Sequence, residues 1–228
     1  MSSYLSDDEQ LEALKNWWKE NGNSLLLSVA LAFAAFFGLR QWQASHQDTS
    51  GAASELYQQI AELSISSSTT VVSDEQLMQA QAVSGRLKSD FEASIYTRYA
   101  ALAVAKFLAD AGQEEQAATE LQWILDHPKL SFMHEAEEEL FKVARLRLAR
   151  LKASLGDTDA ALALLHGIEP GSFTSGYAEV EGDILLDKGD LEGARAAYQR
   201  ALATAEGVNP VLLQLKLQNL GVSPAGFP

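Results

Sequence analysis

The sequence predicts an all-α protein in which a single N-terminal transmembrane helix precedes a solenoid of stacked helical hairpins. Two observations carry this prediction. A long uncharged run stands near the N-terminus, and a fixed spacing of small residues, glycines and large apolar residues recurs three times farther along the chain. No stretch alternates polar and apolar residues as a half-buried β-strand does, so helices account for the pattern.

The uncharged run comprises nineteen residues between Glu20 and Arg40. A helix of that length reaches about 28 Å, close to the hydrocarbon thickness of a bilayer. Tryptophans flank the run, as expected at membrane interfaces. These are Trp17, Trp18 and Trp42. The alternatives are a cleaved signal peptide, which would begin with basic residues, and a buried core helix, which would carry a polar stripe. We therefore predict a transmembrane helix over 21–43.

Residues 1–20 precede the span and carry more acidic than basic side chains. Ser6 and Glu9 match a capping box, and leucines and tryptophans follow at helical spacing, so we expect a short amphipathic helix at the membrane surface; a solvated stub is the alternative. Two lysines lie before the span, whereas one arginine follows it before residue 86. The positive-inside rule makes this segment a cytoplasmic tail and places the large domain outside.

The composition narrows the classes of partner and chemistry. The formal charge of −14 in 228 residues disfavours binding to nucleic acid and to anionic lipid headgroups. The chain has no cysteine, which excludes disulfides, cysteine-ligated zinc and thiol catalysis. A domain of about 180 residues is long enough to bury a sizeable core.

The chain beyond the span divides into a spacer and a helical domain. Small and polar residues over 44–54 indicate a juxtamembrane spacer, and the helical domain is predicted over 55–228. A first helix over 52–63 ends at a serine-rich loop over 64–73. Further helices are predicted over 74–87, 90–110, 113–126, 132–154, 158–166, 174–188, 191–205 and 210–219.

Three segments share one register: a small residue, a glycine seven positions later, an alanine five positions after that, and a large apolar residue four positions further. The copies are Ala105, Gly112, Ala117 and Leu121; Ala149, Gly156, Ala161 and Leu165; and Gly182, Gly189, Ala194 and Tyr198. The last two copies are 33 residues apart, and the first precedes the second by 44. The pattern resembles the tetratricopeptide repeat, whose period is about 34 residues, although the consensus tryptophan is absent. We therefore predict a tetratricopeptide-repeat-like α-solenoid; generic alanine-rich hairpins are the alternative.

Close helix packing explains this register. Small residues let the two helices of a hairpin approach, and the glycine between them ends the first helix where a positive φ costs least. The large residue, such as Tyr198, fills the gap toward the next hairpin. A hairpin of this kind cannot bury its apolar face alone, so the copies must stack.

The segment beginning at His134 is the one candidate for metal chemistry, because His134 and Glu138 would share a helix face. A hydrolytic zinc site needs a third ligand, and the other histidines stand in no supporting motif. The acidic run from Glu135 is explained more simply as the first turn of a helix, with the basic residues after it as ion-pair partners. We predict no catalytic residues, no metal and no cofactor.

Repeats of this type present a concave face that is built mainly from the first helix of each hairpin. The residues that the register places there are Tyr99, Leu102, Lys106, Leu146, Arg150, Glu179, Asp183 and Leu186. Their mixture of polar and apolar side chains suits an extended peptide or a partner helix. The alternative for each residue is packing against the preceding hairpin.

Five motifs carry a wider resemblance. They are EALKNWWKENG over 12–22, RQWQASH over 40–46, RLRLARL over 145–151, GDILLDKGDLEGARAAY over 182–198 and LKLQNL over 215–220. With the acidic tail and the single span, they resemble the ancillary SecYEG translocon subunits of the YfgM type over nearly the whole chain. The resemblance implies a single-pass protein of the bacterial inner membrane, with a cytoplasmic N-terminus and a periplasmic repeat domain.

The same resemblance implies partners. They are the SecYEG channel, a membrane-anchored periplasmic prolyl-isomerase chaperone, and emerging polypeptides that the protein helps to hand onward. It brings no catalytic residues with it. A cell-envelope scaffold for division or wall assembly, with the same topology and other partners, is the alternative hypothesis, and a metalloenzyme at His134 is a third.

Overall fold

The computed structural model describes residues 11, 15, 17–19, 31–37, 51–63, 72–128, 134–204 and 209–221. The chain forms two compact units, Met1–Ala52 and Ala53–Pro228. The described residues up to 37 are helical and exposed. Within the described ranges, no helix is long and apolar enough to cross a membrane. Several predicted features lie outside the described residues. They are most of the span over 21–43, the capping box at Ser6 and Glu9, residues 44–50 of the spacer over 44–54, residues 64–71 of the loop over 64–73, and residues 129–133. Residues 51–54 of the predicted spacer are helical instead.

The second unit confirms the predicted all-α fold, since its described residues form helices and no strand. The helices are α1 (51–63), α2 (Asp74–Asp90), α3 (Ile95–Asp110), α4 (Glu114–Asp126), α5 (His134–Ser154), α6 (Thr158–Leu165), α7 (Thr174–Asp187), α8 (Leu191–Thr204) and α9 (Pro210–Asn219). A short 3-10 helix, Gly171–Phe173, leads into α7.

Polar side chains mark the helix starts. Ser73 and Gln76 form a capping box at α2: the Ser73 hydroxyl accepts from the Gln76 N–H at 3.3 Å, and the Gln76 side chain accepts from the Ser73 N–H at 3.0 Å. At α9, the Asn209 side chain accepts from the Val211 N–H at 3.0 Å, and Pro210 occupies the first turn. These caps satisfy N–H groups that the helix itself leaves without partners.

The turn between α2 and α3 differs from the sequence prediction. A helix over 90–110 was expected, but residues 91–94 lie between the two helices. The hydroxyl of Thr97 donates to the carbonyl of Phe91 at 2.6 Å, and Ser94 caps α3. Side-chain bonds of this kind compete with the helix and leave no trace in the apolar periodicity.

Three hairpins close with the same turn. The glycine between the helices has a left-handed backbone, with φ of +73° at Gly112, +83° at Gly156 and +78° at Gly189. In each turn the glycine N–H bonds to the carbonyl three residues earlier, and the next N–H bonds to the carbonyl five residues earlier, at 2.8 to 3.0 Å. This is the Schellman arrangement, in which glycine takes the positive φ without strain.

The hairpins stack along the chain. Helix α2 packs against α3, α4 against α5, α6 against α7, and α9 against α8. The first helices also meet directly, because α3 contacts α5 and α5 contacts α7. Buried apolar clusters follow one another from the α1–α3 layer to the α8–α9 layer, so each hairpin completes the core of its neighbour.

Candidate interaction surface

The first helices of the hairpins, α1, α3, α5 and α7, form a row whose shared surface we call the first-helix face. Helix α1 joins this row through the ring of Tyr57, whose centroid lies 5.8 Å from the ring of Tyr96 and 6.0 Å from the ring of Tyr99. All three side chains are half-buried. We call these residues the tyrosine cluster.

The tyrosine cluster presents polar groups beside apolar rings. None of its three hydroxyls is hydrogen-bonded to another residue in the part of the chain that the structure describes. Burial, and the neighbouring Tyr99, raise the pKa of Tyr57, so its hydroxyl stays neutral at physiological pH. A tyrosine with a free hydroxyl offers apolar contact area and a hydrogen bond together, which is why tyrosine is enriched at protein interfaces.

Two further residues predicted for this face lie on α3. Leu102 is half-buried and packs on the apolar cluster shared by α3, α4 and α5. Lys106 is exposed and pairs with Asp110 one turn later. The α3 surface therefore passes from aromatic and apolar near Tyr99 to charged near Lys106.

On α5 one of the two predicted residues is buried and the other is exposed. Leu146 is 8% exposed and belongs to the core between α5 and α7. There a Cβ placed at Gly176 would lie 3.2 Å from the Leu146 Cδ2, so the contact is already close. Arg150 is exposed. Of this pair, Arg150 is the residue that a partner can reach, while Leu146 holds α5 to α7.

On α7 two of the three predicted residues are engaged by other helices. The Lys216 ammonium on α9 lies 2.8 Å from the Glu179 carboxylate and 2.7 Å from the Asp183 carboxylate. The Tyr198 hydroxyl donates to Asp183 at 2.7 Å. Leu186 is exposed. The acidic pair at the end of the row therefore acts as an anchor for α9.

The small residues of the repeat register are all buried. They are Ala105, Ala117, Ala149, Ala161, Gly182 and Ala194. The tightest approach is at Gly182, where an added Cβ would lie 2.5 Å from the ring of Tyr198. That ring is itself fully buried, so α7 and α8 meet there at the distance that a glycine permits.

Among the side chains that the structure describes, no three histidine, cysteine, aspartate or glutamate residues converge as a metal site. The side chain of His134 lies outside that part of the structure. Lys142 on α5 lies 3.0 Å from Glu138 and 3.2 Å from Glu139, as predicted for a basic residue that follows the acidic start of this helix.

The sequence prediction missed two members of the tyrosine cluster. Tyr57 lies in a helix whose apolar pattern is carried by leucine and isoleucine, and Tyr96 lies at the start of α3. One signal was present, because Tyr96 and Tyr99 are three residues apart and share a helix face. Their meeting with Tyr57 depends on the packing of α1 on α3, which no local pattern indicates.

Comparison with known proteins agrees with this architecture. The model of the tetratricopeptide repeat-like domain family matches residues 15–222. The ancillary SecYEG translocon subunit of Escherichia coli (strain K12) is 31% identical over 228 residues, which cover 97% of this chain and 100% of the relative. The proteins of the same name from Haemophilus influenzae and Neisseria gonorrhoeae are 27% and 24% identical, each over 96% of this chain and 100% of the relative. No solved structure matches the chain.

The similarity spans both the N-terminal segment and the helical domain, because the relatives are matched over their full lengths. The matched family model covers all three copies of the repeat register. Together these matches show that the chain belongs to the family of ancillary SecYEG translocon subunits, with a tetratricopeptide repeat-like domain.

Proposed function

We propose that the chain is a membrane-anchored interaction protein that associates with the SecYEG translocon. A single helix over 21–43 holds it in the bacterial inner membrane, with the N-terminus in the cytoplasm and the repeat domain in the periplasm. The repeat domain links the translocon to a membrane-anchored periplasmic prolyl-isomerase chaperone and assists the handover of emerging polypeptides. Relatives that match over their full length are named as SecYEG translocon subunits, which supports the proposed association with the translocon.

The observation that carries the binding role is the tyrosine cluster on the first-helix face. Tyr57, Tyr96 and Tyr99 bring together apolar rings and hydroxyls that no described residue engages, from two different hairpins. A rigid scaffold that displays aromatic side chains of this kind suits a polypeptide partner, since aromatic anchors dominate the energetics of protein interfaces. The proposal accordingly assigns binding, and no reaction, to the domain.

The partners are tested by a mild-detergent pull-down of the full-length protein from membranes, with identification of the bound proteins. Translocon subunits together with a periplasmic prolyl isomerase are the expected result. Tyr57→Ala should reduce recovery of the chaperone, because it removes the ring that touches both other tyrosines. The matched control is Met78→Ala, which removes another large side chain that is 63% exposed, on α2. Recovery of a division or wall-assembly set would replace this proposal with the scaffold hypothesis.

The topology is tested by protease treatment of intact cells whose outer membrane has been permeabilised. The repeat domain should be digested in these cells and protected when the outer membrane is closed. Digestion only from the cytoplasmic side of inverted membrane vesicles would overturn the proposed orientation and the assignment of periplasmic partners.

A further inference from the structure

We infer that the outer surface of α4 is a second docking site. Its ligand is a short cationic segment of a partner protein, in which an apolar side chain lies between two basic residues and inserts into the site. The site is a notch of about 410 Å³. It is lined by Glu115, Ala118, Thr119, Gln122, Trp123, Asp126, Lys152 and Leu155. The notch is built on the second helix of its hairpin, whereas the tyrosine cluster is built on first helices. We call it the α4 notch.

Helix α6 is shorter than its neighbour α4. Helix α6 reaches the layer of α4 through Leu164, which packs on the cluster that contains Leu121 and Ile124. It has 8 residues, whereas α4 has 13. At about 1.5 Å per residue, α6 is roughly 7 Å shorter than α4. The notch is lined by α4 together with Lys152 and Leu155.

The floor of the notch is apolar and its aromatic ring is fixed. The Lys88 ammonium lies 4.7 Å from the centroid of the Trp123 ring, and the His127 ring stacks on the indole at 4.5 Å. Leu155, in the turn that directly follows α5, is 41% exposed and also lines a neighbouring hollow of about 320 Å³. Trp123 and Leu155 both line the notch, so it offers apolar surface to one inserted side chain, and the fixed indole loses little freedom on binding.

The rim of the notch is negative. Glu115 forms no ion pair with any residue that the structure describes, and Asp126 accepts a hydrogen bond from the neutral Gln122 side chain at 2.8 Å. Two basic residues lie at the notch and both are paired: Lys152 lies 3.5 Å from Asp157, and Lys88, above the Trp123 ring, lies 2.7 Å from Glu120. Carboxylates that form no ion pair with a described residue, around an apolar floor, attract a cationic ligand and repel an acidic one.

The spacing of the two carboxylates sets the pattern of the ligand. Glu115 and Asp126 are eleven residues apart on α4. That separation is three helical turns, so both side chains share one face about 16 Å apart along the axis. An extended chain covers that distance in about five residues. The fitting segment therefore has two arginines or lysines five positions apart, with a leucine or phenylalanine between them.

This inference extends the proposed function, since a protein that links two partners needs two separate surfaces. The inference does not depend on which proteins the two partners are. Loss of the α4 notch should leave binding at the tyrosine cluster unchanged, and Tyr57→Ala should leave the α4 notch unchanged, so the two proposals fail independently.

The first test measures binding of a fluorescein-labelled eight-residue peptide to the full-length protein in detergent micelles by fluorescence anisotropy. The peptide has arginines at its second and seventh positions, a phenylalanine between them and glycines elsewhere. Leu155→Ser and the double variant Glu115→Lys, Asp126→Lys should each lower its affinity by about tenfold or more. A peptide with glutamates in place of the arginines should bind the double variant better than it binds the unaltered protein.

The control is Glu75→Lys. Glu75 is exposed, and it occupies the second position of α2 as Glu115 does of α4, so both changes place a lysine at a helix N-terminus. The control should change the affinity by less than about twofold, since its effect on the helix dipole is the same and Glu75 does not line the notch. An equal loss of affinity in Glu75→Lys and in the double variant, or equal binding of the two peptides to the unaltered protein, would overturn the inference.

The second test places a photoreactive amino acid at the exposed Thr119 of the full-length protein in membranes. A cross-link to a basic segment of another protein, mapped by mass spectrometry and lost in the double charge variant, supports the inference. A cross-link to a second copy of this chain, or one that the charge reversal does not affect, contradicts it.

Discussion

Gly182 on α7 lies directly against the ring of Tyr198 on α8, and a Cβ at residue 182 would approach two of its ring carbons to 2.5 Å. The ring is fully buried, and its hydroxyl donates to Asp183 at 2.7 Å, so it has no room to turn away. This contact fixes the separation of the two helices in the last hairpin.

We predict that Gly182→Ala destabilises the domain by about 1 to 2 kcal/mol. Overpacking a core costs about 1 to 3 kcal/mol, and replacing glycine by alanine in a helix returns up to about 1 kcal/mol. The control is Gly85→Ala in α2, where an added Cβ meets nothing within 4 Å and should stabilise by about 0.5 to 1 kcal/mol. Urea unfolding of both variants measures these changes in the free energy of unfolding. Changes of the same sign in the two variants would show that the Gly182 contact is unimportant.

Gly189→Val should lower the free energy of unfolding by about 1 kcal/mol or more. Gly189 has φ of +78°, a conformation that costs a residue with a Cβ about 1 to 2 kcal/mol. Gly189→Asn should be tolerated better, because asparagine enters the left-handed region more readily. Thermal and urea unfolding of the two variants should rank them in that order. An unchanged free energy of unfolding in Gly189→Val would mean that the turn can relax without a loss of stability.

Lys216→Met should loosen α9 from α7. It removes bonds to Glu179 and Asp183 and the contact with the Tyr198 ring, at 5.5 Å from its centroid. The lysine side chain is 22% exposed and Glu179 is 13% exposed, so solvent screens the pair only in part. We expect a loss of about 1 to 2 kcal/mol, measured as faster amide exchange in α9. Lys106→Met, which breaks an exposed pair with Asp110, should cost less than about 0.5 kcal/mol. Similar losses would contradict the anchoring role.

Alkaline pH should destabilise the domain through its buried tyrosines. Burial raises the pKa of Tyr177 to about 12, and its hydroxyl donates to the Lys142 carbonyl at 2.8 Å. The unfolded phenol titrates near pH 10, so between about pH 10 and 12 the folded state keeps a proton that the unfolded state has lost. The contribution of the protonated Tyr177 hydroxyl to the free energy of unfolding is fully present below pH 10. It falls by about 1.4 kcal/mol per pH unit as the pH rises from about 10 to 12.

Tyr177→Phe removes this titration and should make the free energy of unfolding less dependent on pH over that window. Urea unfolding at several pH values between neutral and alkaline measures the dependence in both proteins. Equal slopes for the variant and the unaltered protein would show that Tyr177 ionises as easily in the folded domain as in the unfolded chain.

The helices and their hairpin turns were predictable because their signals are local. The register identified Gly112, Gly156 and Gly189 as turn residues, and all three adopt the positive φ that a Schellman turn needs. The register also identified the small residues that are buried at the helix contacts. Predicted boundaries were wrong where a side-chain hydrogen bond decided them, as with the bond from Thr97 of α3 to Phe91 in the turn between α2 and α3.

The first-helix face was predictable only as a set of positions. The repeat geometry indicated which positions belong to it, but not which side chains are engaged elsewhere. Leu146 is in the core, and Glu179 and Asp183 hold Lys216, a residue 33 to 37 positions away. Contacts between residues far apart in the chain leave no periodic signal.

By itself the sequence determined that this chain forms stacked helical hairpins behind a long uncharged segment, because apolar spacing, glycine position and charge act within a few turns of the chain. The tertiary structure alone decided that Tyr57 meets Tyr96 and Tyr99 and that Trp123 and Leu155 face one notch. Each of these surfaces joins residues from different helices. Their positions depend on how closely whole hairpins pack, and that distance is fixed by contacts such as the one between Gly182 and Tyr198.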